Sequence, residues 1–492
     1  MTSQERPLVI CSLGERSLVT SQECDCACPV PTAPTVSNNL TQENLLALQA
    51  KLDSSAYFTA VNEDYQVGFS PYMPLMPIVI NVAAYQLIKM FQSPRPIAHV
   101  VEAYAHVDVV PTIVKLLNSG LLQTGPNVST SPCPDEPTVL VAWLHLTNAC
   151  NLNCTYCYLK KTDEMLSPET GCAAVEAVFR SAIVNGFRAV KIKYAGGEPT
   201  LNFSLILQLH NQARMLAEHY RLGLDEVILS NGVKWTSEMI AAVRAYGIRV
   251  MISLDGIGLT HDAQRAFADG HGSFAIVAHT IRSLLEQGVV PHISVTITKQ
   301  SAEGLPELIA WLLEHNLPFS LNFYRGNELS TSIKDLRLSE EHIITAIRAA
   351  FKVIEANLPR HSLLGSLLDR ASLIAPHRYP CAVGRNYLVI DHHGHVAKCQ
   401  MQIAQAVTTI DDADPLSPVR ADQMGIQNLP VDEKEGCRDC QWRYWCAGGC
   451  PLVTYQATGR YDSRSPNCNI YKVLFPAVLR LEGLRLLMRG VG

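Results

Sequence analysis

Three cysteines in one short run carry the first chemistry that the sequence suggests. Cys150, Cys154 and Cys157 have the spacing C-x3-C-x2-C and directly follow the apolar run 139–146. Three thiolates on one loop can hold three corners of a cubane iron–sulfur cluster and leave its fourth iron open. A structural zinc site would fill all four positions, as would a four-cysteine ferredoxin site. The count of three therefore predicts a reactive cluster.

Seven further cysteines form a second pattern in the last part of the chain. Cys381, Gly394 and Cys399 give C-x12-G-x4-C. The cysteines that follow have the spacing C-x2-C-x5-C-x3-C and then one more, namely Cys437, Cys440, Cys446, Cys450 and Cys468. A zinc ribbon has two C-x2-C knuckles and this stretch has one, so the pattern favours iron–sulfur ligation.

A glycine-rich segment, Tyr194-Ala195-Gly196-Gly197-Glu198-Pro199, ends a predicted strand. Two glycines allow the backbone to approach a ligand closely, and a neighbouring carboxylate can accept hydrogen bonds from an ammonium group. The segment is therefore a candidate cofactor site.

Composition describes a globular chain of several domains. The 492 residues predict about three units at ~150 residues each. A net charge of −5 gives no excess of positive charge for binding nucleic acid or an anionic membrane. No apolar run reaches the ~18 residues of a bilayer span, and the N-terminus lacks a signal-peptide pattern. We expect a cytoplasmic protein without nucleic-acid or membrane partners, whose 16 cysteines bind metal rather than form disulfides.

Strand and helix patterns alternate as βα units after residue 138, which predicts a parallel sheet with helices on its faces. Six units make three-quarters of a TIM barrel, so the predicted fold class is α/β with a partial (β/α)6 barrel. The cysteine loop would then lie at the carboxyl edge, where such folds place their chemistry. The predicted strands are 139–146, 189–194, 226–229, 249–253, 292–297 and 319–323. The predicted helices are 168–185, 204–220, 237–246, 274–287 and 304–315.

The first 138 residues divide into an arm over 1–45, a small unit over 46–125 and a linker over 126–138. The arm contains Cys24, Cys26 and Cys28, interpreted either as an exposed reduced patch or as extra metal ligands. The small unit shows three short strands followed by three helices, with Asn81 as a helix cap. This order resembles the winged-helix leader-binding modules called RiPP recognition elements, and an unrelated packing domain is the alternative.

The loop C-x3-C-x-aromatic-C after a strand, followed by Gly-Gly-Glu-Pro after the next, resembles the signature of the radical S-adenosylmethionine enzymes. The resemblance implies that the open iron binds the amino and carboxylate groups of S-adenosylmethionine. One electron from the cluster then cleaves that molecule to a 5'-deoxyadenosyl radical. It also implies that the Tyr156 backbone meets the adenine ring and that Gly196, Gly197, Glu198 and Pro199 bind the cofactor's amino group.

Polar side chains follow the third, fourth and sixth predicted strands. Ser230, Asn231, Ser253 and Asp255 are suited to ribose hydroxyl groups, although Ser230 and Asn231 are also explained by a role in shaping their turn. Asn322 and Arg325 would face cofactor or substrate, or Arg325 would form a salt bridge on the barrel rim.

The seven later cysteines resemble the SPASM domain, an extension of peptide-modifying radical enzymes that holds auxiliary four-iron clusters. By that resemblance one cluster uses Cys437, Cys440, Cys446 and Cys468, and the other uses Cys381, Cys399 and Cys450. The fourth corner of the second cluster would be open to substrate, or filled by a distant group; the candidates are His377, Cys133, Cys172 and a cysteine of the arm. Gln400 stands where sulfatase-maturating members have an aspartate base, which counts against that activity.

Together these features predict an enzyme with S-adenosylmethionine and three 4Fe-4S clusters that oxidatively modifies a precursor peptide, forming a crosslink, a thioether or a related product. Flavodoxin or ferredoxin would donate electrons, and the N-terminal unit would bind the leader. The alternatives are a protein or small-molecule substrate, or an iron–sulfur carrier without radical chemistry. The predicted units are the barrel over residues 139–335 and a helical bridge over 336–375. The SPASM domain follows over 376–475, and a C-terminal helix or tail over 476–492.

Overall fold

The computed structural model describes residues 6–11, 42–71, 77–124, 133, 136–327, 329 and 335–490. The arm cysteines Cys24, Cys26 and Cys28 lie outside these residues.

The N-terminal unit contains two small antiparallel sheets and a set of short helices. Its first sheet has the order β1-β5-β4-β3 and its second has the order β6-β2-β7. The Asn81 side chain accepts a hydrogen bond from the Ala84 amide, which confirms the predicted helix cap. The strands are β1 (Val9–Cys11), β2 (Gln49–Leu52), β3 (Tyr57–Ala60), β4 (Tyr65–Phe69), β5 (Ile78–Asn81), β6 (Arg95–Pro96) and β7 (Leu122–Thr124). The helices are α1 (Gln42–Leu46), α2 (Val82–Lys89), α3 (Ile97–Ala103) and α4 (Val110–Asn118).

The three predicted strands correspond to β3, β4 and β5, and the three predicted helices to α2, α3 and α4. The unit also contains β1, β2, β6, β7 and α1, which the sequence analysis did not predict. Its function as a RiPP recognition element stays a prediction.

The centre of the molecule is a mostly parallel sheet. Six strands lie in the order β13-β12-β11-β10-β9-β8, all parallel. The strands are β8 (Val139–His145), β9 (Ala189–Ala195), β10 (Gly223–Ser230), β11 (Arg249–Ser253), β12 (His292–Ile297) and β13 (Phe319–Phe323). The helices are α5 (Pro168–Val184), α6 (Phe203–Tyr220), α7 (Ser237–Tyr246), α8 (Leu259–Asp262), α9 (Phe274–Glu286) and α10 (Leu305–Glu314). All six strands and five helices predicted for this region are confirmed, and α8 is an additional short helix.

Three later strands extend the same sheet beyond β8. The strand β14 (Tyr387–Ile390) pairs in parallel with β8, while β15 (His395–Ala397) and β16 (Ala406–Thr409) continue antiparallel. The sequence did not predict this extension. The barrel region and the C-terminal cysteine region therefore share one continuous sheet.

Residues along the parallel strands alternate between two environments. One set is apolar and packs against the helices, as Leu140, Ala142 and Leu144 of β8 do. The other face includes buried charged groups, among them Lys191, which lies 3.6 Å from Asp225. The sheet therefore buries an apolar layer under the helices and keeps polar groups on its opposite face.

The remaining helices lie in the C-terminal part. They are α11 (Glu340–Ala356), α12 (Leu416–Ala421), α13 (Arg443–Cys446), α14 (Pro451–Thr458) and α15 (Cys468–Gly490). Helix α15 contains Pro476 and runs on through residue 475, so the predicted domain boundary falls inside it. Among the described residues, no helix combines the length and the apolar character that a membrane crossing needs.

The N-terminal unit packs against α15 and α13. A β-carbon at Gly483 of α15 would come within 2.6 Å of Val61 and 2.5 Å of Val67, so the small residue allows the first sheet to lie against the helix. The ring centroids of Phe69 and Trp445 are 4.3 Å apart. This contact joins the N-terminal unit to the cysteine-rich region.

Two ion pairs on α15 differ in burial and should differ in their effect on stability. The Glu482–Arg485 pair is 2.6 Å long with both side chains 1% exposed, whereas Arg480–Glu355 has side chains 40% and 41% exposed. We expect Glu482→Ala to lower the free energy of unfolding by about 3–5 kcal/mol, because it leaves a buried guanidinium without that carboxylate. Glu355→Ala should lower it by less than about 1 kcal/mol. Urea unfolding of both variants measures the difference, and equal losses would contradict it.

Candidate active site

The three-cysteine loop begins where β8 ends, at the carboxyl edge of the parallel sheet. A second segment, after β11, holds it by backbone hydrogen bonds. The Asn153 amide donates to the Ala266 oxygen at 2.7 Å, and the Thr155 amide donates to the Gln264 oxygen at 3.0 Å. The loop therefore has a fixed path with the three cysteines half-buried on it.

Donor groups lie beside two of the three sulfur atoms. Asn231 Nδ2 is 3.7 Å from Cys150 Sγ, and Arg265 Nη1 is 4.0 Å from Cys154 Sγ. Burial raises the pKa of Cys154 to about 12, although Arg265 acts to lower it. Because the thiolate is the form that binds metal, the charge of a bound cation would offset this burial. The donor set fits three ligands of an iron–sulfur cluster.

Gly196 and Gly197 lie directly against the cysteine loop. The Gly197 amide donates to the Thr147 oxygen at 2.7 Å, and the next amide donates to the Ala149 oxygen at 2.8 Å. A β-carbon at Gly196 would lie 2.5 Å from the Thr147 oxygen, and one at Gly197 would lie 2.2 Å from the Ala149 oxygen. The backbone at Gly196 and Gly197 therefore has to lie close to a neighbouring group, and in this structure that group is the backbone of the cysteine loop.

The Glu198 carboxylate is fully buried and receives several protein donors. They are the Thr200 hydroxyl at 2.5 Å, the Thr200 amide at 3.1 Å, the Ser230 hydroxyl at 2.8 Å and the Asn231 amide at 2.7 Å. Burial raises the pKa of Glu198, while these hydrogen bonds lower it. Glu198 thus links the end of β9 to the loop after β10 by hydrogen bonds. Pro199, the next residue, begins a single helical turn.

Ser230 completes this link. Besides donating to Glu198, its oxygen accepts a hydrogen bond from Trp235 Nε1 at 3.0 Å. Its neighbour Asn231 donates from Nδ2 to Asn151 Oδ1 of the cysteine loop at 2.7 Å. The loop after β10 is therefore linked to both Glu198 and the cysteines.

Asp255 anchors the opposite side of the cysteine loop. It is fully buried, and its Oδ2 accepts from the Tyr156 hydroxyl at 2.5 Å and from Arg265 Nε at 2.7 Å. Its Oδ1 accepts from the Thr296 amide at 2.7 Å. The Asp255 carboxylate therefore connects the loop to β12 and to Arg265, and the Arg265 guanidinium lies 5.3 Å from the Tyr156 ring centre.

Ser253 differs from Asp255 in remaining half-buried, on the end of β11. It is in register with Ser294 of β12, and Asn322 Nδ2 of β13 donates to Ser294 Oγ at 3.2 Å. These three residues form a polar row near the sheet edge. Arg325 instead pairs with Asp369 at 2.6 Å, which supports the salt-bridge alternative.

Arg265 is a buried residue beside Cys154 that the sequence analysis did not assign to the site. Arg265 stands in a loop without a distinctive motif. Asn231, by contrast, is a candidate from its place in the Ser-Asn-Gly turn, and its side chain lies beside Cys150.

The later cysteines separate into two groups in space. In the first, burial and then the Cys450 sulfur raise the pKa of Cys399 to about 12, with Cys381 contributing further. In the second, burial and then three neighbouring sulfurs together raise the pKa of Cys446 to about 12; the sulfurs are those of Cys437, Cys440 and Cys468. The sulfurs within each set are near enough to influence one another, and their assignment as two sets of cluster ligands stays a prediction.

The candidates for a further ligand to the Cys381, Cys399 and Cys450 group lie in different places. Cys133 packs with Cys437 of the other group, and Cys172 lies on α5, where Gln208 Nε2 is 3.6 Å from its sulfur. His377 is near Tyr444, whose oxygen accepts from the His377 amide at 2.8 Å. Burial lowers the pKa of His377 to about 4.

Two side chains lie near more than one cysteine group. Burial, followed by the nearby Cys157 and Cys399 sulfurs, raises the pKa of Tyr158. Lys434 is buried and donates to the Ala447 oxygen at 2.9 Å. Burial lowers the pKa of Lys434, while nearby sulfurs of both later groups act to raise it.

Comparison with known proteins agrees with this geometry. Residues 144–312 match the family model described as the Radical SAM superfamily. A solved structure, native anSMEcpe with bound AdoMet and Cp18Cys peptide, superposes with a TM-score of 0.58 at 18% identity, covering 71% of this chain and 99% of that one. This likeness shows the fold.

Two curated relatives are similar in sequence. The Fe-coproporphyrin III synthase of Methanosarcina barkeri is 27% identical over 46% of this chain and 54% of its own length. The antilisterial bacteriocin subtilosin biosynthesis protein AlbA of Bacillus subtilis is 22% identical over 58% of this chain and 61% of its own. The chain thus spans little more than half the length of these relatives. Residues 144–312, which include the cysteine loop at the carboxyl edge of the sheet, are therefore similar to the Radical SAM superfamily.

Proposed function

We propose that this protein is a radical S-adenosylmethionine enzyme that oxidatively modifies a peptide. The observation that carries the proposal is the arrangement of ten cysteines beside one sheet. Three lie on the loop after β8, and the later groups contain three and four. A reactive cluster and auxiliary clusters would then share one protein framework.

The loop residues Cys150, Cys154 and Cys157 would hold the reactive 4Fe-4S cluster. When bound, this cluster and S-adenosylmethionine supply a 5'-deoxyadenosyl radical that abstracts a hydrogen atom from substrate. The Tyr156 backbone, the polar row at Ser253 and the Gly196–Pro199 segment would face the cofactor. Glu198, Ser230 and Asp255 would act as positioning residues, because their polar atoms hold the loops around the cysteines.

The later cysteines would hold two auxiliary 4Fe-4S clusters. Cys437, Cys440, Cys446 and Cys468 supply four ligands for one. Cys381, Cys399 and Cys450 supply three for the other, which leaves a corner for a substrate group such as a peptide thiolate. Auxiliary clusters suit an oxidation, since the substrate radical must lose an electron when a crosslink or thioether forms.

Two observations support a peptide substrate. AlbA is named for bacteriocin biosynthesis. The N-terminal unit packs on Trp442 and Trp445, beside the second cysteine group, with the Tyr57 and Trp442 ring centroids 4.7 Å apart. A leader bound by residues 46–125 would thus be held beside the auxiliary site, and flavodoxin or ferredoxin would supply electrons.

A small-molecule substrate is the second candidate, because the relative from Methanosarcina barkeri is named for a coproporphyrin product.

A precursor peptide encoded beside this gene separates the two. We expect that peptide to bind the protein and to lose two hydrogens on turnover, as measured by mass spectrometry. A leaderless version should bind at least about 10-fold more weakly, which corresponds to about 1.4 kcal/mol. Turnover of a porphyrin with no modification of the peptide would favour the small-molecule alternative.

Loss of one loop cysteine should abolish cofactor cleavage. We expect Cys154→Ala to reduce 5'-deoxyadenosine formation by more than the roughly 10–100-fold that loss of a supporting contact costs a metal site. Cys172→Ala is the matched control, because Cys172 lies on α5 with its sulfur 3.6 Å from Gln208 Nε2 of α6, and it should retain wild-type formation. Chromatography of reduced, reconstituted protein measures the product. Equal formation by Cys154→Ala and wild type would refute the assignment.

Iron content tests the auxiliary assignment separately. Wild-type protein should bind roughly twelve irons per chain and the Cys437→Ala/Cys440→Ala double variant roughly eight, since each cubane holds four. The reactive cluster should remain, so the double variant should still form 5'-deoxyadenosine when reduced. Elemental analysis and electron paramagnetic resonance measure the difference. Equal iron in both proteins would contradict a cluster at these cysteines.

A further inference from the structure

Two consecutive histidines lie at the turn between β14 and β15. The Gly394 amide donates to the Asp391 oxygen at 3.1 Å, and Gly394 has a φ of +85°, a conformation that glycine adopts without strain. Asp391 Oδ1 also accepts from the His393 and His395 amides at 2.9 and 2.8 Å. This tight turn holds the His392 and His393 rings side by side, with their centroids 4.1 Å apart.

A carboxylate from a distant part of the chain faces both rings. Glu164 Oε2 is 3.6 Å from His392 Nε2, and Glu164 Oε1 is 3.7 Å from His393 Nε2. The carboxylate is oriented by the Thr162 hydroxyl at 2.6 Å and by Asn148 Nδ2 at 3.1 Å. One ligand atom from each of the three residues lies within 4.8 Å of the others.

His392 has unsatisfied hydrogen-bonding capacity. Its side chain is only 9% exposed, and both ring nitrogens are buried without a hydrogen-bond partner in the part of the chain that the structure describes. Buried polar atoms are nearly always satisfied in folded proteins, so an unsatisfied one at a cluster of ligand groups indicates a missing partner. Imidazole is the commonest metal ligand in proteins.

The spacing suits a single metal ion. Zinc binds histidine nitrogen and carboxylate oxygen at about 2.0–2.2 Å, and a tetrahedral ion at those distances holds its ligand atoms about 3.3–3.6 Å apart. The observed separations of 3.6 and 3.7 Å are close to this range. Glu164 and His393 are 50% and 55% exposed, so water can reach the remaining position.

We propose that Glu164, His392 and His393 form a binding site for a divalent transition-metal ion such as Zn²⁺, separate from the iron–sulfur cysteines. The ion would connect the β14–β15 turn to the segment that follows the cysteine loop. Asn148, which donates to Glu164, stands two residues before Cys150. The site would therefore join the two cysteine-bearing regions at the carboxyl edge of the sheet.

Zinc binding by cluster-loaded protein tests the proposal. Wild-type protein with its iron–sulfur clusters reconstituted is dialysed anaerobically against Zn²⁺, and bound zinc is counted by elemental analysis. We expect one Zn²⁺ per chain above any bound by cysteines. Glu164→Gln and His393→Gln should each weaken this binding at least about 10-fold. His395→Gln is the matched control, because His395 belongs to the same turn but pairs with Asp391 at 3.1 Å.

Two further measurements make the result decisive. Equal iron content in all four proteins shows that the variants fold and load normally. Co²⁺ should give absorption bands of a nitrogen- and oxygen-ligated ion in wild type and in His395→Gln, and these bands should be lost in the other two. Zinc affinity that is unchanged in both Glu164→Gln and His393→Gln, or no zinc beyond that bound by cysteines, would overturn the proposal.

Discussion

The close approach of β9 to the cysteine loop is the constraint on which the candidate site depends. At Gly196 and Gly197 a β-carbon would come within 2.5 and 2.2 Å of backbone oxygens of the loop. A side chain at either position would push the loop away and break the hydrogen bonds that Thr147 and Ala149 accept. The cysteines therefore lie on a segment that belongs to the edge of the sheet.

Two buried carboxylates then hold the surroundings of that loop. Glu198 joins the end of β9 to the loop after β10, and Asp255 joins the cysteine loop to Arg265 and β12. A buried carboxylate is destabilising unless donors surround it, so each one requires its neighbours to keep their positions. Interactions among the chain's own residues thus set much of the site before any ligand contributes.

Local patterns in the sequence predicted most of the sheet and the groups of cysteines. Six strands and five helices could be predicted because each has its own apolar periodicity and its own ending signals. The motifs around Cys150 and Gly196 indicated the resemblance to radical S-adenosylmethionine enzymes for the same reason, since their spacing is a local property.

Contacts between distant segments were not accessible in this way. The short apolar run of β14 carries no signal that it pairs with β8. The two glycines would allow close approach of a ligand or of a neighbouring backbone equally well. Their sequence pattern therefore could not distinguish these two roles. The contact of Arg265 with Asp255 and the pairing of Glu164 with His392 depend on where loops meet in space. The apolar periodicity of the sequence carries no information about such meetings.

The parallel pairing of β14 with β8 has a mechanical consequence. Backbone hydrogen bonds in a sheet resist sliding of one strand past its neighbour, so this pairing restrains relative movement of the two cysteine-bearing regions. The separation between their cysteine sulfurs should thus vary little. Any widening that admits a bulky molecule must come instead from the opposite border at β13, beyond which no further strand pairs among the described residues.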